Sequence, residues 1–269
     1  MLIADGIELE CACAGRFECT GAVIAQQLAR LGLRGAADAL ARLPLGDDAI
    51  DALAVLLEAE CLHRDSLAQA RRLKLAKLAQ RAHPADVDLR TPRGLGKTRW
   101  QQLLSLNWLR QHQHLLLIGP TGIGKSYIAC ALAKAIIDRK QSVRYLRLPR
   151  LGEELATLEA QGRISHWLKM LSRVDVLVLD DFGLVPMSAT HQPLLLALLD
   201  DREQRGSVVV TSQLPIKLWH GQFKDPTLAD AILDRLVHNA ELVELTGESM
   251  RKKHPRTCTD DSDKSDPAN

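Results

Sequence analysis

Residues 115–126 read Leu-Leu-Leu-Ile-Gly-Pro-Thr-Gly-Ile-Gly-Lys-Ser, four apolar residues followed at once by a full G-x-x-x-x-G-K-[ST]. The apolar run has the length and flanks of a buried parallel strand. The periodic residues after it, Ile128, Ala129, Leu132, Ala133, Ile136 and Ile137, predict a helix. A P-loop at a strand-to-helix turn constrains the fold more than any other feature, because it commits the chain to an α/β sheet. It also has a mechanism. Gly119, Gly122 and Gly124, with Pro120, Thr121 and Ile123 between them, let backbone N–H groups converge on phosphate oxygens at a helix N-terminus. Lys125 then reaches the β and γ phosphates, and Ser126 holds Mg²⁺. A second string, Gly94-Leu95-Gly96-Lys97-Thr98, also ends in GKT. Its first glycine would have to fall at Thr91, and Pro92 sits where a strand would run, so it reads as basic linker.

A second anchor lies downstream. Val174 to Leu179 is apolar apart from Asp175 and ends in Asp180-Asp181-Phe182-Gly183. An apolar strand ending in an acid places a carboxylate at the edge of the sheet beside the P-loop, so Asp180 is expected to hold Mg²⁺ through water. Asp181 is expected to position or deprotonate the attacking water. Without a P-loop the same pair would read as a helix cap or turn. Another strand pattern, Ser207 to Thr211, ends in Ser212-Gln213. Either polar residue suits a γ-phosphate or the attacking water, and a turn before Pro215 fits the pattern equally well.

A length of 269 residues with 46% hydrophobic and 25% charged residues suits one α/β core plus a smaller domain. Residues 1–20 form an extension without periodicity. Residues 21–83 are predicted to be a helical N-terminal domain whose long helix breaks near Asp65-Ser66 and resumes to about Ala82. Residues 84–97 read as a basic linker, 98–253 as the ATPase domain and 254–269 as a disordered tail. Asp5, Glu8 and Glu10 stand where a signal peptide needs a basic then apolar run, and no stretch has eighteen uninterrupted apolar residues, so a cytoplasmic protein is expected. Cys11, Cys13 and Cys19 lack a fourth ligand nearby and are read as reduced, idle thiols.

The charge is uneven. From Arg64 to Trp100 there are ten Lys and Arg against three Asp. On a helix Arg71, Lys74, Lys77 and Arg81 share about a third of the circumference, and Arg90, Arg93, Lys97 and Arg99 continue the charge. A solvated face explains this; so does a sequence-tolerant grip on DNA phosphates.

The strings Gly119 to Ser126, Leu177-Val178-Leu179-Asp180-Asp181-Phe182-Gly183, Thr211-Ser212-Gln213-Leu214-Pro215, Asp225 to His238 and Gly247-Glu248-Ser249-Met250-Arg251 closely resemble the IstB family of transposition helper ATPases. The resemblance covers roughly Gln26 to Lys253. IstB proteins are AAA+ ATPases akin to the helicase loader DnaC, and they work beside a DDE transposase, IstA. The resemblance implies an AAA+ P-loop NTPase with a small helical N-terminal domain, ATP and Mg²⁺ as cofactors, and a homo-oligomer with ATP at subunit interfaces. It implies assembly on double-stranded target DNA and recruitment or activation of the transposase. A helicase loader, or an ATP-gated clamp with little hydrolysis, is the alternative. Carried over by residue, it makes Lys125 and Ser126 the Walker A pair, Asp180 the Walker B acid, and Asp181 the occupant of a position filled by Glu in many AAA+ proteins. It makes Gln213, with Ser212 behind it, sensor 1, Arg235 an arginine finger and Arg251 sensor 2. It favours the DNA reading for Arg71, Lys74, Lys77, Arg81, Arg93 and Lys97.

Overall fold

A computed structural model describes residues 24–40, 42, 49–203 and 205–250, without the side chains of 49–54. The expectations for residues 1–20 and their cysteines, for Arg251 and for the tail fall outside the described residues. The chain divides at Arg71/Arg72 into two compact units.

The first unit holds helix α1 (residues 24–30), α2 (Arg34–Leu40) and most of α3 (Ala49–Ala76). Gly35 lets α2 approach α3 closely, since a Cβ there would lie 2.4 Å from His63 Cβ and 2.6 Å from Ala59 O. The carboxylate of Glu60, 5% exposed, accepts the Ala36 N–H at 3.2 Å and Arg64 Nε at 2.6 Å. A buried acid thus satisfies one of the orphan donors that every helix start leaves.

α3 runs on without the break expected at Asp65-Ser66, because neither residue lacks an N–H or forces a new φ, and the chain between them and Ala76 contains no Gly or Pro. It also stops earlier than expected. Lys77 takes a left-handed φ of 51°, and the Leu75 carbonyl, freed at the helix end, accepts Arg144 Nη1 at 3.0 Å. Lys77 and Arg81 therefore do not extend a helical stripe with Arg71 and Lys74.

The second unit is a five-stranded, all-parallel sheet in the order β2-β3-β4-β1-β5. Its strands are β1 (His114–Ile118), β2 (Val143–Arg147), β3 (Val176–Phe182), β4 (Ser207–Ser212) and β5 (Ala240–Glu244). Side chains alternate between the faces as a period of two requires. Leu115, Leu117, Val176, Val178 and Val209 pack with α4 (Lys97–Ser105), α5 (Asn107–Arg110) and α6 (Lys125–Asp138). Leu116, Ile118, Leu177, Leu179, Val208 and Val210 pack with α7 (Leu148–Ala160), α8 (Ile164–Ser172), α9 (Gln192–Arg202) and α10 (Pro226–Val237). Burial on both faces is why these strands read as continuous apolar runs.

Residues 84–97 belong to this unit's packing. Val87 and Leu95 are buried, Trp100 Nε1 donates to Pro84 O at 3.2 Å, and Thr246 N donates to Arg93 O at 3.0 Å. The charge and turn residues that suggest a linker hide two apolar anchors.

Candidate active site

The C-terminal ends of β1, β3 and β4 meet at one level, with Ser212 in register with both Ile118 and Phe182. The chain leaves β1 at Gly119, whose N–H donates to Ser212 O at 3.2 Å, loops, and starts α6 at Lys125. Gly124 is the N-cap with φ of 99°, a conformation suited to glycine. The N-terminal N–H groups of a 14-residue helix therefore open toward the sheet crest, where they and the helix dipole attract an anion. Lys125 is 6% exposed and donates from Nζ to Gly119 O at 2.7 Å and Pro120 O at 2.9 Å.

Asp180 and Asp181 occupy an irregularity in β3. Pairing with β4 jumps from Leu179↔Val210 to Phe182↔Ser212, so two residues of β3 oppose Thr211 alone. Asp181 absorbs the extra residue at a φ of 59°. The Asp180 carboxylate, 3% exposed, accepts Ser126 Oγ at 2.7 Å and Thr211 Oγ1 at 2.6 Å on one oxygen and the Tyr145 hydroxyl on the other. Burial, then the carboxylate itself, pushes the Tyr145 phenol far above its ordinary pKa, so it stays a donor. Asp181 N donates to Thr211 Oγ1 at 3.1 Å, and its carboxylate accepts Arg147 Nε at 3.1 Å. Consecutive strand residues normally point to opposite faces; the bulge lets both acids serve the crest.

These groups open on a cleft of about 900 Å³ whose lining includes Thr121, Lys125, Ser126, Asp181, Gln213 and Met250. The structure thus brings together Gly122, Gly124, Lys125, Ser126, Asp181 and Gln213 around one space, with Asp180 bonded directly beneath Ser126. Gln213 Oε1 accepts Thr121 Oγ1 at 2.5 Å. Ser212 is withdrawn from the cleft: its buried hydroxyl donates to Phe182 O at 2.8 Å and accepts Trp219 Nε1 at 3.2 Å. Of the two candidates at the end of β4, Gln213 faces the cleft. Met250 N donates to Gly122 O at 2.9 Å, so the chain after β5 is tied to the P-loop one residue before Arg251.

The remaining candidates are dispersed. Lys74, Lys77, Arg81, Arg90 and Lys97 of the second unit are exposed, as is Arg71 in the first. Arg93 departs from the expected DNA face. It is 3% exposed, and its guanidinium donates to Ile123 O and Asp88 O, each at 2.8 Å, on the wall of the cleft. A run of charge along a linker does not tell an arginine that faces solvent from one that turns inward onto carbonyls. Arg99 is half-buried and paired with Glu241 at 2.9 Å. Arg235 is outside the cleft lining; its side chain, 31% exposed, pairs with Asp200 on α9 and donates to Ala231 O at 2.9 Å.

Sequence reasoning missed Tyr145 and Thr211 as a hydroxyl bridge between the two acids, and it read Arg93, which lines the cleft, as a DNA contact. Thr211 was within reach of inspection, as the residue opposite the Asp pair once β3 and β4 are neighbours. Tyr145 and the cleft-wall role of Arg93 had no local signal, since Asp180 and Ile123, the partners that fix them at the site, lie 35 and 30 residues away.

A family model described as IstB-like ATP binding protein matches residues 26–258. A putative insertion sequence ATP-binding protein, y4uH of Sinorhizobium fredii, is 43% identical over 230 residues, covering 84% of this chain and 93% of that protein. The insertion sequence IS21 putative ATP-binding protein of Pseudomonas aeruginosa is 31% identical, with 76% and 77% covered. Among solved structures, DnaI is similar with a TM-score of 0.51 at 23% identity, over 63% of this chain and 90% of that one. A replication initiator DnaA bound to AMPPCP and single-stranded DNA has a TM-score of 0.53 at 16% identity, over 66% and 54%. At such identities these two show the fold alone, that of AAA+ P-loop ATPases.

Proposed function

The chain belongs to the IstB-like ATP-binding family and is an ATPase of AAA+ fold, and we propose that it is the ATP-driven, DNA-assembling helper of a DDE transposase in insertion-sequence transposition. The observation that carries the reading is the meeting of Lys125, Ser126, Asp180, Asp181 and Gln213 at one sheet crest, in a chain whose relatives are named as insertion-sequence ATP-binding proteins.

Each residue has a role that its position supports. The N-terminal N–H groups of α6 and the Lys125 ammonium bind the phosphates. Ser126 Oγ and Asp180 Oδ1, 2.7 Å apart, are hard oxygen donors of the kind Mg²⁺ takes. Ser126 would ligate it and Asp180, fixed by Thr211 and Tyr145, would hold its water shell. When bound, Mg²⁺ neutralises charge that develops on the phosphate oxygens. Asp181 orients the attacking water and takes its proton as the oxygen bonds to the γ-phosphorus and the bond to the β–γ bridging oxygen breaks. Arg147 holds Asp181 in place. Gln213 reaches the γ-phosphate end of the cleft.

Arg235 then acts in trans, entering the site of a neighbouring subunit once released from Asp200, which makes hydrolysis depend on assembly. Lys74, Lys77, Arg81 and Lys97 contact DNA phosphates, with Arg71 of the first unit as a further contact. Arg251 follows Met250 and completes the site as sensor 2.

The test is ATP turnover with and without duplex DNA, for the wild type and for Asp181→Asn, with nucleotide affinity measured alongside. The amide keeps the shape of the carboxylate and cannot accept a proton, so the variant is expected to bind ATP normally and to lose about 10² or more in turnover. Hydrolysis undiminished in Asp181→Asn would pass the role of base elsewhere.

A further inference from the structure

Arg93 is a buried cation without a matching anion. It is 3% exposed, and among the described residues no carboxylate lies within ion-pair distance of it. Two of its donors reach carbonyls, Ile123 O and Asp88 O, while its Nε is buried with no hydrogen-bond partner. The Asp88 carboxylate favours the charge from a distance, but it is engaged by Arg90 N, Thr91 N and Thr91 Oγ1. A guanidinium held in a protein interior on carbonyls alone is an expensive arrangement.

Its position adds to that cost. A Cβ on Gly124 would lie 2.6 Å from Arg93 Nη1, so the guanidinium rests against the N-cap of α6. Positive charge is disfavoured at the positive end of a helix dipole. Two unfavourable placements of one charge, on the wall of the cleft that holds Lys125, become favourable together when an anion occupies the space.

We infer that Arg93 is a second fixed cation of the nucleotide site, contacting the phosphates nearer the ribose. Arg93 reaches the cleft from the 80–93 segment, alongside Gln80, Asp86 and Asp88, whereas Asp181 and Gln213 reach it from the ends of β3 and β4. Contact on that side serves the phosphates that ADP and ATP share. It also accounts for glycine at position 124 beyond its φ, because any side chain there would push the guanidinium away from the helix start.

The inference rests on the nucleotide-site reading above, and the wild type serves as the control for it. ADP and ATP affinities are measured by calorimetry for the wild type, Arg93→Lys and Arg93→Gln, with the unliganded melting temperature of each. Arg93→Gln is expected to weaken ADP and ATP alike, by about tenfold or more. Arg93→Lys keeps the charge but cannot span two carbonyls, and should stay within about fivefold of the wild type. A strut between Ile123 and Asp88 gives a different pattern, with Lys and Gln equally impaired and both melting lower. That pattern, or affinities unchanged in Arg93→Gln, would overturn the inference. A wild type that binds neither nucleotide would instead overturn the site itself.

Discussion

His114 opens β1, and its Nδ1 accepts the Val208 N–H at 3.2 Å, a bond that only the neutral ring can make. Burial, reinforced by the Arg202 charge, lowers its pKa to about 4. In the unfolded chain an imidazole titrates near 6.5. Between those values the unfolded state holds a proton that the folded state does not, so stability rises with pH across the window. The contribution is complete above about 6.5 and is lost as pH falls toward 4. Urea denaturation of the wild type is expected to show a loss of about 1–3 kcal/mol over that range beyond the loss in His114→Asn. Parallel pH profiles for the two proteins would remove His114 as the cause.

At the scale of elements, α9 ends in a buried arginine that joins three others. Arg202, 1% exposed, donates to Leu171 O at 2.7 Å, Val174 O at 2.8 Å, Asp175 O at 3.3 Å and Ser207 O at 2.9 Å. It therefore ties the end of α8 and the starts of β3 and β4 together, at the end of the strands opposite the cleft. Arg202→Met fills similar space and takes the guanidinium donor from these carbonyls, of which Asp175 O keeps the Ser207 N–H at 3.0 Å; with about 1–3 kcal/mol for each buried group left unsatisfied and incomplete additivity, a loss of about 3 kcal/mol is expected. ATP affinity of the folded fraction should be unchanged. A loss under about 1 kcal/mol in chemical denaturation would show that water or rearrangement replaces the arginine.

The elements also show what a sequence can and cannot disclose. The P-loop and the strand before Asp180 were legible because each is contiguous and its apolar run announces a strand buried on both faces. Arg93 and Arg202 were not, because an arginine in a charged segment looks like surface until the carbonyls it serves are in place. The end of α3 was misread for a related reason. Lys77 is no helix breaker, and the Arg144 guanidinium that donates to the Leu75 carbonyl comes from β2, 69 residues away. At the crest, alternation along a strand gives no hint that Asp180 and Asp181 can act together, since that depends on the bulge against Thr211.

For the whole molecule, none of the helices among the described residues is long and apolar enough to cross a membrane. Arg235 pairs with Asp200 outside the chain's own cleft. If it completes a neighbour's site, Arg235→Ala and Lys125→Ala are each inactive alone, and mixing them restores activity at interfaces that pair an intact finger with an intact P-loop. Finger residues contribute about 10³ to 10⁵ in rate where they act this way, so even a minority of mixed interfaces should stand clear of the background. Subunits that co-assemble and yet never exceed the sum of their separate rates would show that Arg235 is not shared.

If ATP bound at this cleft drives assembly on DNA of almost any sequence, affinity for two unrelated duplexes over a salt series, with and without ATP, reads it. For the wild type, ATP should strengthen binding to both duplexes by about tenfold or more, with a salt slope near −0.9 for each phosphate neutralised. Lys125→Ala, lacking the ammonium of the phosphate cradle, should lose the ATP effect. Reversal of Lys74, Lys77 and Arg81 to Glu should weaken both duplexes equally while ATP binding persists. Wild-type affinity that ATP leaves unchanged, or an ATP effect retained in Lys125→Ala, would rule out assembly driven by ATP at this cleft.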